Sequence, residues 1–173
     1  FYTEFAPAFA ATRRRVQEGV RRVLDDLPDQ GRWLDLGCGP GALAVEWLRR
    51  RRRSAYLGLD FSADLLAEAR AATSELPGSQ RVSFALADLS DPGWAEGLTP
   101  SFYGALAFAV FHHLPSVALR ERVLAQVRDL LLPRGRLVHS EWQFQNSPKL
   151  MARRVPWETA GFDPDDLEPG DTL

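Results

Sequence analysis

The stretch "WLDLGCGPGALAVEWL", Trp33 to Leu48, decides the fold. A short apolar run holding one acid, Asp35, leads into glycines at every second position: Gly37, Gly39 and Gly41. Beyond them Leu43, Val45, Trp47 and Leu48 supply the packing residues of a helix. The segment therefore reads as a buried strand, a tight glycine turn and a helix.

The same grammar extends in both directions. Val16, Val20, Val23, Leu24 and Leu27 form one apolar stripe, which predicts a helix over 12–27 with Thr12 as cap and Pro28 beyond its last turn. "SAYLGLD", Ser54 to Asp60, is a second strand ending in an acid. Ser62 caps a further helix, which Pro77-Gly78 terminates. "RVSFALAD", Arg81 to Asp88, is a third strand ending in an acid, with an irregular piece around Trp94 after it. Tyr103 to Phe111 is nearly all apolar, as a strand buried on both faces should be. Residues 116–131 follow as a helix with Val117, Val123, Leu124, Val127, Leu130 and Leu131 inward. "PRG" then turns the chain into a fifth strand, "RLVHSEW", where His139 reads as a core residue. Alternation of strand and helix predicts an α/β fold, Rossmann-like and doubly wound, with a mostly parallel sheet and helices on both faces.

Composition narrows the class. A chain of 173 residues with 45% hydrophobic and 25% charged residues suits one globular domain. It divides into a cofactor-binding core over 12–142 and an acceptor-side or lid region over 143–173. No apolar run is long enough to cross a membrane. With no signal peptide visible and a single cysteine, Cys38, a cytoplasmic setting is expected. Three histidines and one cysteine lack metal-ligand spacing, so no metal is expected. The net charge of −2 hides an asymmetry. Arginines crowd the first third, with an unbroken run from Arg49 to Arg53, and acids crowd the end. A solvated helix face and a basic patch for nucleic acid are both open readings of that run.

In an open parallel sheet the ligand lies beyond the carboxyl ends of the strands, where strand order reverses. Gly37, Gly39, Gly41, Asp60, Asp88 and the stretch after Phe108 all fall at such ends. A phosphate-binding loop needs Gly-Lys-Ser/Thr, which is absent. A dinucleotide turn wants its third glycine three places on, whereas Gly41 comes two places after Gly39, across Pro40. Asp35, just inside the turn, disfavours a pyrophosphate and suits an ammonium group. Asp60 lies 23 residues beyond Gly37, where an acid bonds ribose hydroxyls, and Asp88 has the position for an adenine amino group. An adenosine with an amino-acid arm and no phosphates satisfies all three acids, and S-adenosylmethionine is that molecule.

"WLDLGCGPG", "YLGLDFS", "FALAD", "FAVFHHLP" and "LLLPRGRLVHSEW" resemble, in order, the motifs of class I S-adenosylmethionine-dependent methyltransferases over roughly Arg13 to Trp142. By that resemblance, Asp35 and the turn Gly37, Cys38, Gly39 and Gly41 face the methionine arm. Asp60 takes the ribose hydroxyls, Phe61 lies beside the adenine, and Asp88 and Leu89 bind the adenine edge. Ala109 to His113 border the transferable methyl and the acceptor. His112 and His113 are the candidate catalytic pair, and Phe111, His113 and Trp142 the candidate acceptor contacts. A narrower likeness, carried by "FYTEFAPAFAATR" and the paired-histidine segment, is to the methyltransferases that esterify carboxymethyl uridine at the tRNA wobble position. The resemblance implies methyl transfer to an O or N acceptor: a small molecule, or alternatively tRNA. A cofactor-binding but inactive partner subunit is the other alternative. The family's sheet has seven strands and only five are legible, so the C-terminal strands are expected to be missing.

Overall fold

The computed structural model describes residues 15–50, 52–141 and 143–156. It divides into two compact units, Phe1–Ser140 and Glu141–Leu173. In the first, α1 (Glu18–Asp26), β1 (Arg32–Leu36), α2 (Ala42–Arg49), β2 (Ala55–Asp60), α3 (Ala63–Ser74), β3 (Val82–Leu86), β4 (Phe102–Phe108), α4 (Val117–Leu130) and β5 (Leu131–Ser140) follow in order. In the second, a single 3-10 turn at Phe144–Asn146 and a short α5, Pro148–Met151, are described.

The sheet runs β3-β2-β1-β4-β5 and every pairing is parallel. The chain starts in the middle, builds outward to β3, then crosses back to lay β4 against the free side of β1. Strand order therefore reverses between β1 and β4. That is the place at which a crevice opens beyond the strand ends.

Successive strand residues point to opposite faces, and here both faces are covered. On one, Leu34, Leu36, Leu57, Leu59, Ala105 and Ala107 pack with Val123, Val127 and Leu130 of α4. On the other, Trp33, Tyr56 and Leu106 pack with Leu24 and Leu27 near α1 and with Leu43, Ala44 and Trp47 of α2. Aromatic rings knit this second face: Trp33 meets Trp47 edge-on at 5.8 Å, and Trp47 meets Tyr56 at 5.5 Å. Gly104 pairs with Trp33 across β1 and β4, and a Cβ there would fall 2.3 Å from the indole.

The structure bears out the parallel α/β architecture and amends details. Helix α1 begins at Glu18, with Gln17 at its cap position making no side-chain bond; Thr12 lies outside the described residues. Ser62 caps α3 as expected, accepting from Leu65 N–H at 3.3 Å, and the structure adds Ser116 as the cap of α4, accepting from Leu119 N–H at 3.2 Å. Val117 and Leu124, expected inward on α4, are exposed. His139, expected in the core, is exposed on β5, which ends the sheet on that side among the described residues. Among the described residues no helix is long and apolar enough to cross a membrane.

The arginine run resolves into separate tasks. Arg52 is 6% exposed and lies 4.6 Å over the Trp47 ring. Its guanidinium donates to the carbonyls of Leu24, Leu27 and Pro28, the groups that the end of α1 leaves without helical partners. Burial lowers its pKa, yet arginine keeps its charge there. Arg50 donates to Asp25 at 2.9 Å and also bonds Glu46, joining α2 to α1. Asp29 accepts from Arg53 N–H, Ser54 N–H and the Ser54 hydroxyl, which fixes the entry to β2. Arg52→Met should therefore destabilise the protein by about 2–3 kcal/mol in urea unfolding, because the carbonyls at the end of α1 lose their donors.

Candidate functional site

Three glycines form the turn beyond β1, each with a left-handed φ: +62° at Gly37, +54° at Gly39 and +81° at Gly41. Their surroundings differ. A Cβ at Gly37 would meet Val110 Cγ2 at 2.9 Å, and one at Gly41 would meet the Ala69 Cβ at 2.8 Å. These two glycines let the segment after β4 and helix α3 close onto the turn. A Cβ at Gly39 would meet nothing within 4 Å, so only its backbone angle asks for glycine there. Gly39→Ala should cost about 1–2 kcal/mol from the angle alone, and Gly41→Ala about 3 kcal/mol or more because α3 must also shift. Paired thermal or urea melts of the two variants check the order.

Asp60 sits beside this turn at the end of β2, 5% exposed. Its Oδ2 accepts the Gly39 N–H at 2.8 Å and its Oδ1 accepts the Ser62 N–H at 3.0 Å. Burial pushes its pKa up, and the backbone donors Ser62, Gly39 and Phe61 oppose that. Asp35, 3% exposed, lies one strand over, in register with Gly58. It accepts the hydroxyl of Tyr56. Burial pushes its pKa up to about 7, the Tyr56 hydrogen bond pulls the other way, and Asp60 adds like-charge repulsion. Cys38 fills the space over Gly58, whose Cβ would fall 2.8 Å from the sulfur. Burial, then Asp35 and Asp60, push the thiol far above its usual range, so Cys38 is a packing residue and an unreactive thiol.

Asp35 makes stability depend on pH with a definite sign. An acid whose folded pKa exceeds its unfolded value contributes stability that is fully present below the unfolded pKa. That contribution is lost as pH rises through the folded one. The unfolding free energy should fall between about pH 4 and pH 7 by on the order of 3–4 kcal/mol from this group. Asp35→Asn should remove that slope, which urea unfolding across the range will read.

Around this centre the strand ends line up in sheet order. The backbone after β3 joins β2 through Ala87 N–H to Asp60 O at 2.9 Å, which brings Asp88 alongside. Asp88 Oδ1 accepts both the N–H and the hydroxyl of Ser90, so one oxygen shapes its own turn. Leu89, expected at an adenine edge, has its side chain in the core at 8% exposure; only its backbone can take that part. Phe61 and Leu86 are exposed apolar residues at the ends of β2 and β3, with Leu86 in register with Asp60. Leu86 escaped the sequence reading because an apolar residue at a strand end looks like core.

On the other side of the turn, Ala109 adopts a φ of +59°, unusual for a residue with a Cβ. Its N–H donates to the carbonyl and the hydroxyl of Ser140 at 3.0 and 3.2 Å. The Phe111 ring, expected to wall the acceptor, is withdrawn into the core at 6% exposure and meets His139 edge-on at 5.7 Å. His112 is half-buried and His113 exposed, with ring centroids 4.1 Å apart. Trp142, Tyr2 and Phe5 lie outside the described residues. A separate groove of about 440 Å³ between α2 and α3, lined by Pro40, Ala42, Val45, Arg49, Glu68, Ala71 and Ala72, contains none of the acids at the strand ends. Among the described residues no cluster could hold a metal ion.

The donor set is acidic and its flanks are apolar. No lysine or arginine among the described residues bonds the Asp35 or Asp60 carboxylate. Such a site suits a cationic ligand with hydroxyls and a flat apolar part, and does not suit a phosphate chain.

Comparison with known proteins gives the family and the fold. A family model described as a methyltransferase domain matches residues 34–137. The chain belongs to that family. A protein of Encephalitozoon cuniculi named as a methyltransferase is 31% identical over 144 residues, which is 82% of this chain and 60% of that protein. "Probable tRNA methyltransferase 9B" of Bos taurus is 23% identical over 92% of this chain and 32% of its own length. Trans-aconitate 2-methyltransferase of Sinorhizobium medicae is 35% identical over 67% of this chain and 41% of its own length. The chain thus spans less than two thirds of each relative. Among solved structures, an O-methyltransferase family protein from Burkholderia thailandensis superposes with a TM-score of 0.68 at 20% identity, covering 87% of this chain and 46% of that one. The glycopeptide N-methyltransferase MtfA, solved with S-adenosylmethionine, gives 0.60 at 22% identity over 80% and 57%. These likenesses carry the fold: a Rossmann-like sheet of the methyltransferase kind.

Proposed function

We propose that the crevice binds S-adenosylmethionine and that the protein passes its methyl group to an oxygen or nitrogen of a small-molecule acceptor. One observation carries the reading: two buried carboxylates, Asp35 and Asp60, at neighbouring strand ends beside a left-handed glycine turn, with no base among the described residues bonded to either. The methionine arm brings an ammonium for Asp35, and the ribose brings hydroxyls for Asp60. Phe61 and Leu86 offer apolar contact for the adenine, and Asp88 an acceptor for its amino group.

The bound cofactor supplies a methyl already activated by the sulfonium. The protein's task is then alignment and exclusion of water, and holding reactants in line can supply roughly 7–11 kcal/mol. Ala109 to His113 form the border at which an acceptor would lie. The strained Ala109 peptide, anchored on Ser140, fixes the course of that border. A carboxylate acceptor needs no base. A hydroxyl or amine would pass its proton to His112 or His113, of which His113 is the more accessible.

The tRNA reading has one specific support, the alignment of 92% of this chain with a protein named as a tRNA methyltransferase. The arginines favour the small molecule: Arg52 is buried against α1 and Arg50 is held by Asp25 and Glu46. Salt dependence separates the two. A tRNA ligand should bind with a steep loss of affinity as salt rises, and a small acceptor with little. Calorimetry with S-adenosylmethionine tests the shared premise. Asp60→Ala, checked for folding by circular dichroism, should weaken binding about 10- to 100-fold because the ribose hydroxyls lose a charged acceptor. Wild-type protein that takes up neither S-adenosylmethionine nor S-adenosylhomocysteine would refute the proposal.

A further inference from the structure

Asp35 is held by a residue that the cofactor reading does not itself require. Tyr56 is 1% exposed, lies one strand over, and is wedged between Trp47 at 5.5 Å and Phe84 at 6.3 Å. Its hydroxyl donates to Asp35 Oδ2. A phenylalanine would fill the same aromatic stack, so the hydroxyl answers to Asp35 rather than to packing.

The charged and titratable groups around this pair are few. β2 brings Tyr56 and Asp60, and the turn brings Cys38. β4 brings Tyr103, whose ring packs on Trp33 at 5.8 Å. β3 brings none within Val82–Leu86. Two of the nearby cations are committed elsewhere: Arg70 of α3 donates to Phe84 O, and Arg50, at the end of α2, engages Asp25 and Glu46. Arg52, beyond α2, holds the end of α1. Among the described residues, two buried carboxylates thus stand at neighbouring strand ends with no side-chain cation bonded to them.

We propose that Tyr56 is a positioning residue that presents the Asp35 carboxylate to the ammonium of the cofactor's amino-acid arm, and that binding of this arm expels one proton from Asp35 to solvent. The inference rests on the S-adenosylmethionine reading above. In the ligand-free protein, burial and Asp60 keep Asp35 substantially protonated at neutral pH. An ammonium at the carboxylate favours its charged form and displaces that proton. Tyr56 stays a neutral donor throughout, since burial and Asp35 push its own pKa well up. Its hydrogen bond favours the charged form of Asp35 and so keeps the site ready near neutrality. The linkage also has a direction: capture of the methyl donor strengthens as pH rises through the titration of Asp35.

The test is calorimetry of S-adenosylhomocysteine, which carries the same amino-acid arm, in pairs of buffers with different ionisation enthalpies. Wild-type protein should release close to one proton per ligand at about pH 6, falling towards none at about pH 8. Subtracting the Asp35→Asn profile removes protons that belong to the ligand's own amine. Tyr56→Phe should shift the release midpoint to higher pH. Its affinity should fall severalfold at about pH 7 and recover as pH rises, which a merely structural role for Tyr56 would not produce. Carboxyl-carbon NMR of Asp35 in the ligand-free protein reads the same midpoint without ligand, and Tyr56→Phe should move it upward. Ligand binding at about pH 6 without proton release, or an unchanged midpoint in Tyr56→Phe, would overturn the inference and leave the cofactor reading standing. No binding at any pH would overturn both.

Discussion

The carboxylate of Asp60 accepts one backbone N–H from the glycine turn after β1 and another from Ser62 at the entry to α3, and the crevice is organised by that grip. One oxygen draws Gly39 toward β2, and the other sets the first turn of a helix. Gly41 completes the join, since only its missing Cβ allows Ala69 of α3 to sit against the turn. Turn, strand end and helix therefore share one anchor, and a ligand that bonds Asp60 acts on all three. Removing the carboxylate would leave a buried donor at Gly39 and a half-buried one at Ser62 without partners, as well as a ligand without an acceptor.

The electrostatics of the molecule run opposite to its sequence. Its conspicuous charge is the arginine run, yet Arg50 and Arg52 serve the junction of α1 and α2. Its inconspicuous charges, single aspartates at the ends of β1 and β2, are the ones held out of water at the crevice. Buried acids without cations are costly to a fold and become useful when a cationic ligand arrives. The asymmetry separates stability from recognition: bases fasten helices on the outside, and acids wait at the strand ends.

Much of this was legible in the residues. Strand ends followed from apolar runs closing on Asp60, and the helix cap Ser62 from its place before a helical segment. The glycine turn was legible because left-handed angles leave few residue choices. What the sequence could not carry was the side-chain environment. Nothing local says that Tyr56 and Asp35 meet, because their contact depends on the register of two strands. Phe111 and Leu89 follow from residue type and place alone, but whether an apolar side chain turns inward, as theirs do, or outward, as that of Leu86 does, depends on which face its neighbours leave open. His139 reads as core from its mid-strand position, but β5 ends the sheet on that side among the described residues.

The close approach of Gly37 to Val110 has a bearing on how the protein comes together. These residues face each other across the reversal of strand order, so the turn is buttressed by chain that arrives long after it in sequence. A polypeptide that had assembled only β1, α2, β2, α3 and β3 would carry all three glycines and Asp60, yet lack one wall of the crevice. Insertion of β4 beside β1 is a contact of large sequence separation, the kind that forms slowly. Competence to bind therefore arises with the closing of the whole sheet rather than with its first half, and ligand capture reports on the completeness of folding.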